Sequence, residues 1–130
     1  MIRSAGPADA VAVAGVHARA GRAAWSGFLG DVLAEPDVPL WRERVAADGF
    51  LVAERDGVVV GFGRADAANG EVALLYVDPA EQRRGTGRAL LAAVLDRLRT
   101  AGWDRARLRT EGAQRRAAGL LRAGRLAPDR

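Results

Sequence analysis

The residues best able to do chemistry in this chain lie in one stretch, Val77-Asp78-Pro79-Ala80-Glu81-Gln82-Arg83-Arg84-Gly85-Thr86-Gly87-Arg88-Ala89-Leu90-Leu91. An apolar run ends at Asp78-Pro79, a glycine-bearing loop turns, and a helical pattern begins. The first N–H groups of a helix have no acceptor within the helix, and the helix dipole adds partial positive charge at that end. Such a turn is therefore an anion site. Gly85 and Gly87 let a ligand approach the main chain closely, and Arg83, Arg84 and Arg88 add charge beside it. A pyrophosphate is the natural occupant.

Other chemistries are excluded by composition or weakened by spacing. There is no Cys, so thiolate metal sites, disulfides and a cysteine nucleophile are absent. The single His, His17, cannot form a histidine-rich metal site, and no metal is expected. A Walker loop needs Gly-Lys-Ser/Thr, and the chain has no Lys. A dinucleotide fingerprint wants a third Gly where Leu90 stands, and belongs after the first strand of a parallel unit.

The elements that position this loop follow from patterning. Ile2-Arg3-Ser4-Ala5 predicts a short first strand, and Gly6-Pro7-Ala8-Asp9 a helix start. Residues 21–35 fit either a bent helix or a loop; Pro39 then opens a second helix through Trp41 and Val45, stopped at Gly49. Three strands follow over 50–55, 58–65 and 71–77. Asp56-Gly57 predicts a type I′ hairpin turn, and Asn69-Gly70 offers a second. Leu91, Val94, Leu95, Leu98 and Ala101 trace one helical face ending at Gly102. Residues 105–110 alternate as a strand, and residues 113–123 form a last helix. The fold class is α/β: a mixed sheet, an antiparallel meander first, then a parallel βαβ crossover.

The 130 residues make one domain, residues 1–130, with an Ala/Val/Leu-rich core. The net charge is +4, but the arginines are scattered with few aromatics among them, which disfavours a nucleic-acid adaptor. No apolar run resembles a signal peptide or approaches the ~20 residues of a membrane span, so the expected setting is the cytoplasm, with no membrane partner.

Gln82-Arg83-Arg84-Gly85-Thr86-Gly87 resembles the Gln/Arg-x-x-Gly-x-Gly/Ala signature of the GNAT superfamily of N-acetyltransferases. Leu75-Tyr76-Val77-Asp78-Pro79 is similar to that family's fourth strand, Arg88-Ala89-Leu90-Leu91 to its third helix, and Ile2-Arg3 with Pro7-Ala8-Asp9 to its usual start. The resemblance follows the element order across most of the chain and is specific only around the signature. It implies acetyl-CoA as co-substrate and an amine of a small molecule or peptide as acceptor. The main-chain amides of residues 84–88 would hold the pyrophosphate, beside the side chains of Gln82, Arg83 and Thr86. Leu75, Tyr76 and Val77 would line the pantetheine arm: the main chain of Leu75 and Val77 would pair with it, where the fourth and fifth strands splay, often at a bulge. One of those amides would face the thioester oxygen. Glu71, eleven residues before Gln82, matches the general-base glutamate of histone-acetylating members; Glu54 is a second candidate.

Two features depart from the family. Its last helix usually carries Asn, then Phe-Tyr and Gly-Phe; here Ala113, Gly119-Leu120 and Gly124-Arg125 stand there, so the usual tyrosine acid is missing, and Tyr76 is the only tyrosine that could replace it. The chain ends at Arg130, which implies truncated C-terminal strands. An edge exposed at 105–110, with Arg105, Arg107 and Arg109 on one face, would favour a homodimer. His17, Trp25 and Trp41 lie where family members vary to fit their acceptors. The alternative to an active enzyme is a catalytically weak or inactive acyl-CoA-binding regulatory module.

Overall fold

The structure is a computed structural model that describes residues 1–24, 36–81 and 83–108. Its elements are β1 (Ile2–Ser4), a 3-10 turn (Pro7–Asp9), α1 (Ala10–Ala24), α2 (Val38–Arg44), β2 (Phe50–Arg55), β3 (Val58–Asp66), β4 (Glu71–Val77), a second 3-10 turn (Pro79–Glu81), α3 (Thr86–Thr100) and β5 (Arg107–Leu108). The strands lie in the order β1-β2-β3-β4-β5, antiparallel throughout except for the parallel β4–β5 pair. The meander followed by a crossover through α3 is the expected arrangement. Of the predicted strand at 105–110, residues 107–108 pair with β4, and residues 109–110 lie outside the described residues. So do the predicted last helix, Trp25 and most of the ambiguous segment at 21–35.

Local chemistry accounts for the boundaries. Asp56 and Gly57 have φ of 54° and 79°, as a type I′ turn requires. The second reversal differs from expectation. Asn69 does not take a positive φ; only Gly70 does. The Asp66 carboxylate instead accepts from the N–H groups of Ala68 (3.2 Å) and Asn69 (3.3 Å) and from the Asn69 amide (2.9 Å), which winds a wider four-residue loop. Helix α2 starts before Pro39 because Asp37 caps it, accepting from the Leu40 N–H at 3.1 Å. Helix α3 stops as Gly102 predicts: Gly102 donates to Arg99 O and Trp103 to Leu98 O, a Schellman closure. Ala101, read as part of its apolar face, is exposed, and Leu90 takes that role at the other end.

Both faces of the sheet are covered. On one, Leu90, Leu91, Val94, Leu95 and Leu98 of α3 pack on Leu51, Ala65, Val72 and Leu75. On the other, Val13 and Val16 of α1 and Trp41 and Val45 of α2 pack on Phe50, Val52 and Phe62. Trp41 is therefore a core anchor, its ring 5.1 Å from that of Phe62. The β3–β4 register slips between Arg64↔Leu74 and Ala65↔Val72, so Ala73 is an extra residue on β4, a β-bulge.

Candidate functional site

The glycine loop is tied down on both sides. Asp78, just past β4, accepts through Oδ2 from Nε (2.8 Å) and Nη2 (2.7 Å) of Arg19 on α1, and its Oδ1 accepts from the Ala80 N–H. Glu81 is buried, and its Oε1 accepts from Arg55 Nε at 2.7 Å. Arg55 also reaches Thr86 Oγ1 at 3.4 Å, and Arg84 lies 3.9 Å from the other Glu81 oxygen. The arginines are about half exposed, so each pair adds little stability. Their effect is to hold the loop in one shape. Residue type alone did not mark Asp78, Glu81 or Arg55, because their partners are 59 and 26 residues away.

Within that frame Gly85 is the N-cap of α3, with φ 83° and ψ 2°. The first intrahelical bond runs from Ala89 N to Gly85 O at 3.0 Å, so the N–H groups of Thr86, Gly87 and Arg88 precede the ladder and point outward. A Cβ built on Gly85 would meet nothing within 4 Å. Gly85, Arg84 and Thr86 border a cavity of about 450 Å³, with Met1, Glu54 and Arg55 opposite. Arg83 is also left-handed, at φ 70°, a strain of about 1–2 kcal/mol for a residue with a Cβ. Its side chain and those of Arg84 and Arg88 are exposed; Gln82 lies outside the described residues.

The ladder decides where the β4 peptides point. Asp78 donates to Val60 O at 2.8 Å, so this pair is a hydrogen-bonded one. Alternation along an antiparallel ladder then makes Phe62/Tyr76 hydrogen-bonded as well, and leaves Gly61/Val77 and Gly63/Leu75 non-bonded. The peptide groups of Leu75 and Val77 therefore face away from β3, toward the β5 edge. Among the described residues β5 pairs only with Glu71 and Val72, at the far end of β4.

Side chains alternate the other way. Leu75 is buried under α3, with the partly buried Val77 beside it. The Tyr76 ring lies on the opposite face, 5.2 Å from His17 and 5.3 Å from Phe62. His17 is half-buried between Tyr76 and Trp41, whose ring is 4.9 Å away. Glu71 is half-buried at the start of β4, in register with Asp66 on one side and Arg107 on the other. Glu54 is not brought to β4: it lies on β2, where its Oε1 accepts from Nε and Nη2 of Arg3, which also grips Asp9.

Burial, reinforced by Arg44, holds His17 below its ordinary value of 6.5. The unfolded chain then binds more protons than the folded one as pH drops through that value, so stability present above it is lost on acidification. Asp9 and Asp66 are shifted downward from a carboxylate value and stay ionised across this range. The urea midpoint is expected to be lower at pH 5.5 than at pH 7.5, and His17→Gln should shrink that difference. An equal difference in the variant would assign it elsewhere.

Comparison with known proteins points to one family. The model of the acetyltransferase (GNAT) family matches residues 20–124. A mycothiol acetyltransferase of Beutenbergia cavernae is 43% identical over 81 residues, covering 62% of this chain but 26% of that protein. The chain thus spans about a quarter of the length of that curated relative. A GCN5-related N-acetyltransferase from Rhodopseudomonas palustris superposes with a TM-score of 0.77 at 21% identity, covering 92% of this chain and 78% of that one. A GNAT family acetyltransferase from Brucella melitensis, solved with acetyl-CoA, gives 0.64 at 28% identity, over 92% and 80% of the two chains. No helix among the described residues is long and apolar enough to cross a membrane.

Proposed function

The chain belongs to the GNAT acetyltransferase family, and from that footing we propose that it moves an acetyl group from acetyl-CoA to a primary amine of a small molecule or peptide, by direct attack of the amine. The observation that carries this reading is the Gly85 cap: a left-handed, sterically open turn whose first-turn N–H groups point outward, beside a strand edge formed by Leu75 and Val77. These residues fit the group. The Arg84 N–H donates to Glu81 O at 3.4 Å, so of the amides of residues 84–88 those of 85–88 would bind the pyrophosphate, with the Arg83, Arg84 and Arg88 side chains adding charge. The outward peptides of Leu75 and Val77 would orient the pantetheine arm as an added strand does.

Acetyl-CoA, when bound, supplies the acetyl group as a thioester. An N–H of Leu75 or Val77 would donate to the carbonyl oxygen, where negative charge develops during attack. The attacking amine must be neutral, although an alkyl ammonium titrates near ~10, so a base has to take its proton. Glu71 is the carboxylate proposed for that role. It stands four residues before Leu75, but the Ala73 bulge takes up one of them, so the two are three ladder rungs, roughly 10 Å, apart along the strand, and it would act through water. Tyr76 is the candidate to return a proton to the leaving thiolate; because a thiol titrates near ~8.5, that help is not essential.

Calorimetric titration with acetyl-CoA, followed by thiol release against an amine panel, tests the whole reading. Binding with release is expected. Binding without release would reduce the protein to an acyl-CoA-binding module, and no binding would remove the cofactor assignment. Glu71→Gln is expected to lower kcat by about 10²-fold or more while leaving acetyl-CoA affinity unchanged. Unaltered turnover would dismiss Glu71 as the base.

A further inference from the structure

On the face of the sheet that carries α1 and α2, a separate cavity of about 280 Å³ is lined by Arg44, Ala47, Phe50, Arg64, Ala73 and Leu74. The β4 bulge makes its floor. The extra residue Ala73 turns to the same side as Leu74, and its single methyl leaves depth between Phe50 and the two arginines.

Both charged residues of this cavity are cations, and neither has a carboxylate within ion-pair distance among the described residues. Arg64 is held by its stem: Nε donates to Asp48 O at 3.1 Å, which leaves the two Nη groups for another acceptor. Arg44 stacks its guanidinium 5.1 Å from the centre of the Trp41 ring. Arg19, Arg55 and Arg84 around the glycine loop each face a carboxylate, whereas Arg83 and Arg88 of that loop, like this pair, have no carboxylate within ion-pair distance among the described residues. Two pre-positioned guanidiniums over a small apolar floor match an anionic group that accepts from both.

We propose that this cavity binds a carboxylate or phosphate carried by the acceptor, so that the favoured substrates are amines bearing one anionic group. The word acceptor rests on the transferase reading; the anion site itself does not. Leu74 on the cavity floor directly precedes Leu75, whose peptide faces the proposed thioester position. At ~3.3 Å per residue, the floor residues Leu74 and Ala73 lie roughly 3–7 Å along the strand from Leu75, a span that an amine carrying its anion a few bonds away can bridge.

The test pairs acceptors that differ only in charge: ε-aminocaproate and aminohexyl phosphate against hexylamine. Thiol release should favour the anionic amines by about tenfold or more in kcat/KM, mainly through KM. Arg64→Gln and Arg44→Gln should each bring that ratio toward parity without changing the hexylamine rate. Arg64→Glu should reverse the preference, which a merely destabilised variant would not do. Equal rates in the parent protein, or a preference that survives both Gln variants, overturns the proposal.

Binding separates the two readings. Calorimetry on protein saturated with CoA, so that the Gly85 loop is filled, should show both anionic amines binding in an Arg64-dependent way. If they bind so and no amine releases thiol, the transferase reading fails and the anion site stands. If hexylamine reacts as well as its anionic partners and neither binds through Arg64, the anion site fails and the transferase stands. Comparing the carboxylate and phosphate arms decides which anion the cavity prefers.

Discussion

Gly85→Val is expected to weaken acetyl-CoA binding by about a hundredfold or more while leaving the protein folded. The cap residue has φ 83°, and a β-branched side chain there costs about 1–2 kcal/mol in backbone strain. The added Cβ would meet nothing within 4 Å, which leaves room for the rest of the side chain to point into the open space. The fold therefore bears only the strain. The ligand bears two further losses: the branched side chain fills the space through which a pyrophosphate reaches the amides, and relief of the strain turns those amides away. A hundredfold change corresponds to about 2.7 kcal/mol, a reasonable loss for charge-assisted hydrogen bonds broken together. Calorimetric titration with acetyl-CoA reads the affinity, and thermal unfolding by circular dichroism checks the fold. An unchanged affinity in a folded variant would move the cofactor away from this loop.

Leu90→Ala should produce the largest stability loss, about 3 kcal/mol, with the melting temperature falling by on the order of 10 °C. Leu90 is completely buried, and it seats the start of α3 on the sheet. A Cβ on Gly61 would stand 2.9 Å from the Leu90 side chain, and one on Gly63 would stand 3.1 Å from Val94. These glycines on β3 let the helix come close enough for its first turn to lie beside the end of β4. Truncating Leu90 leaves a void that close-packed neighbours fill only partly. Urea unfolding gives the free energy. A loss below about 1 kcal/mol would mean that α3 is seated by other contacts. Acetyl-CoA binding, measured well below the melting point, should be reduced far less than in Gly85→Val, because no ligand-facing amide changes.

These two substitutions fall on residues of different legibility. Gly85 could be read directly: a glycine between an apolar strand and an amphipathic helix is a local pattern, and its backbone conformation follows from that pattern. Leu90 was legible as the residue that breaks a dinucleotide fingerprint and as part of a helix-opening stretch, but not as a core anchor. Its real role depends on Gly61 and Gly63 in another strand. The turn signals divide in the same way. Asp56-Gly57 forms its hairpin because both residues take positive φ, as the dipeptide favours. Asn69-Gly70 does not, because the Asp66 carboxylate captures the amides of Ala68 and Asn69 and forces a wider loop. Glu54 shows how a candidate base can be lost in the same manner: a strand carboxylate looks available until Arg3, from another strand, closes on it.

Sequence alone determined what depends on neighbours along the chain: the strand, glycine loop and helix around Gly85, the antiparallel meander, and the crossover that returns beside β4. Hydrogen-bond alternation and helical periodicity are local, so they survive in one dimension. The tertiary structure decided which groups are held and which are left available. It buried Glu81 against Arg55, clamped Asp78 to Arg19, aimed the Leu75 and Val77 peptides away from β3, and left Arg44 and Arg64 facing a cavity to which no described residue brings a carboxylate. The reason is physical: the charge partner of a side chain, and the face to which a bulge turns it, are set by contacts across tens of residues, which no spacing along the chain records.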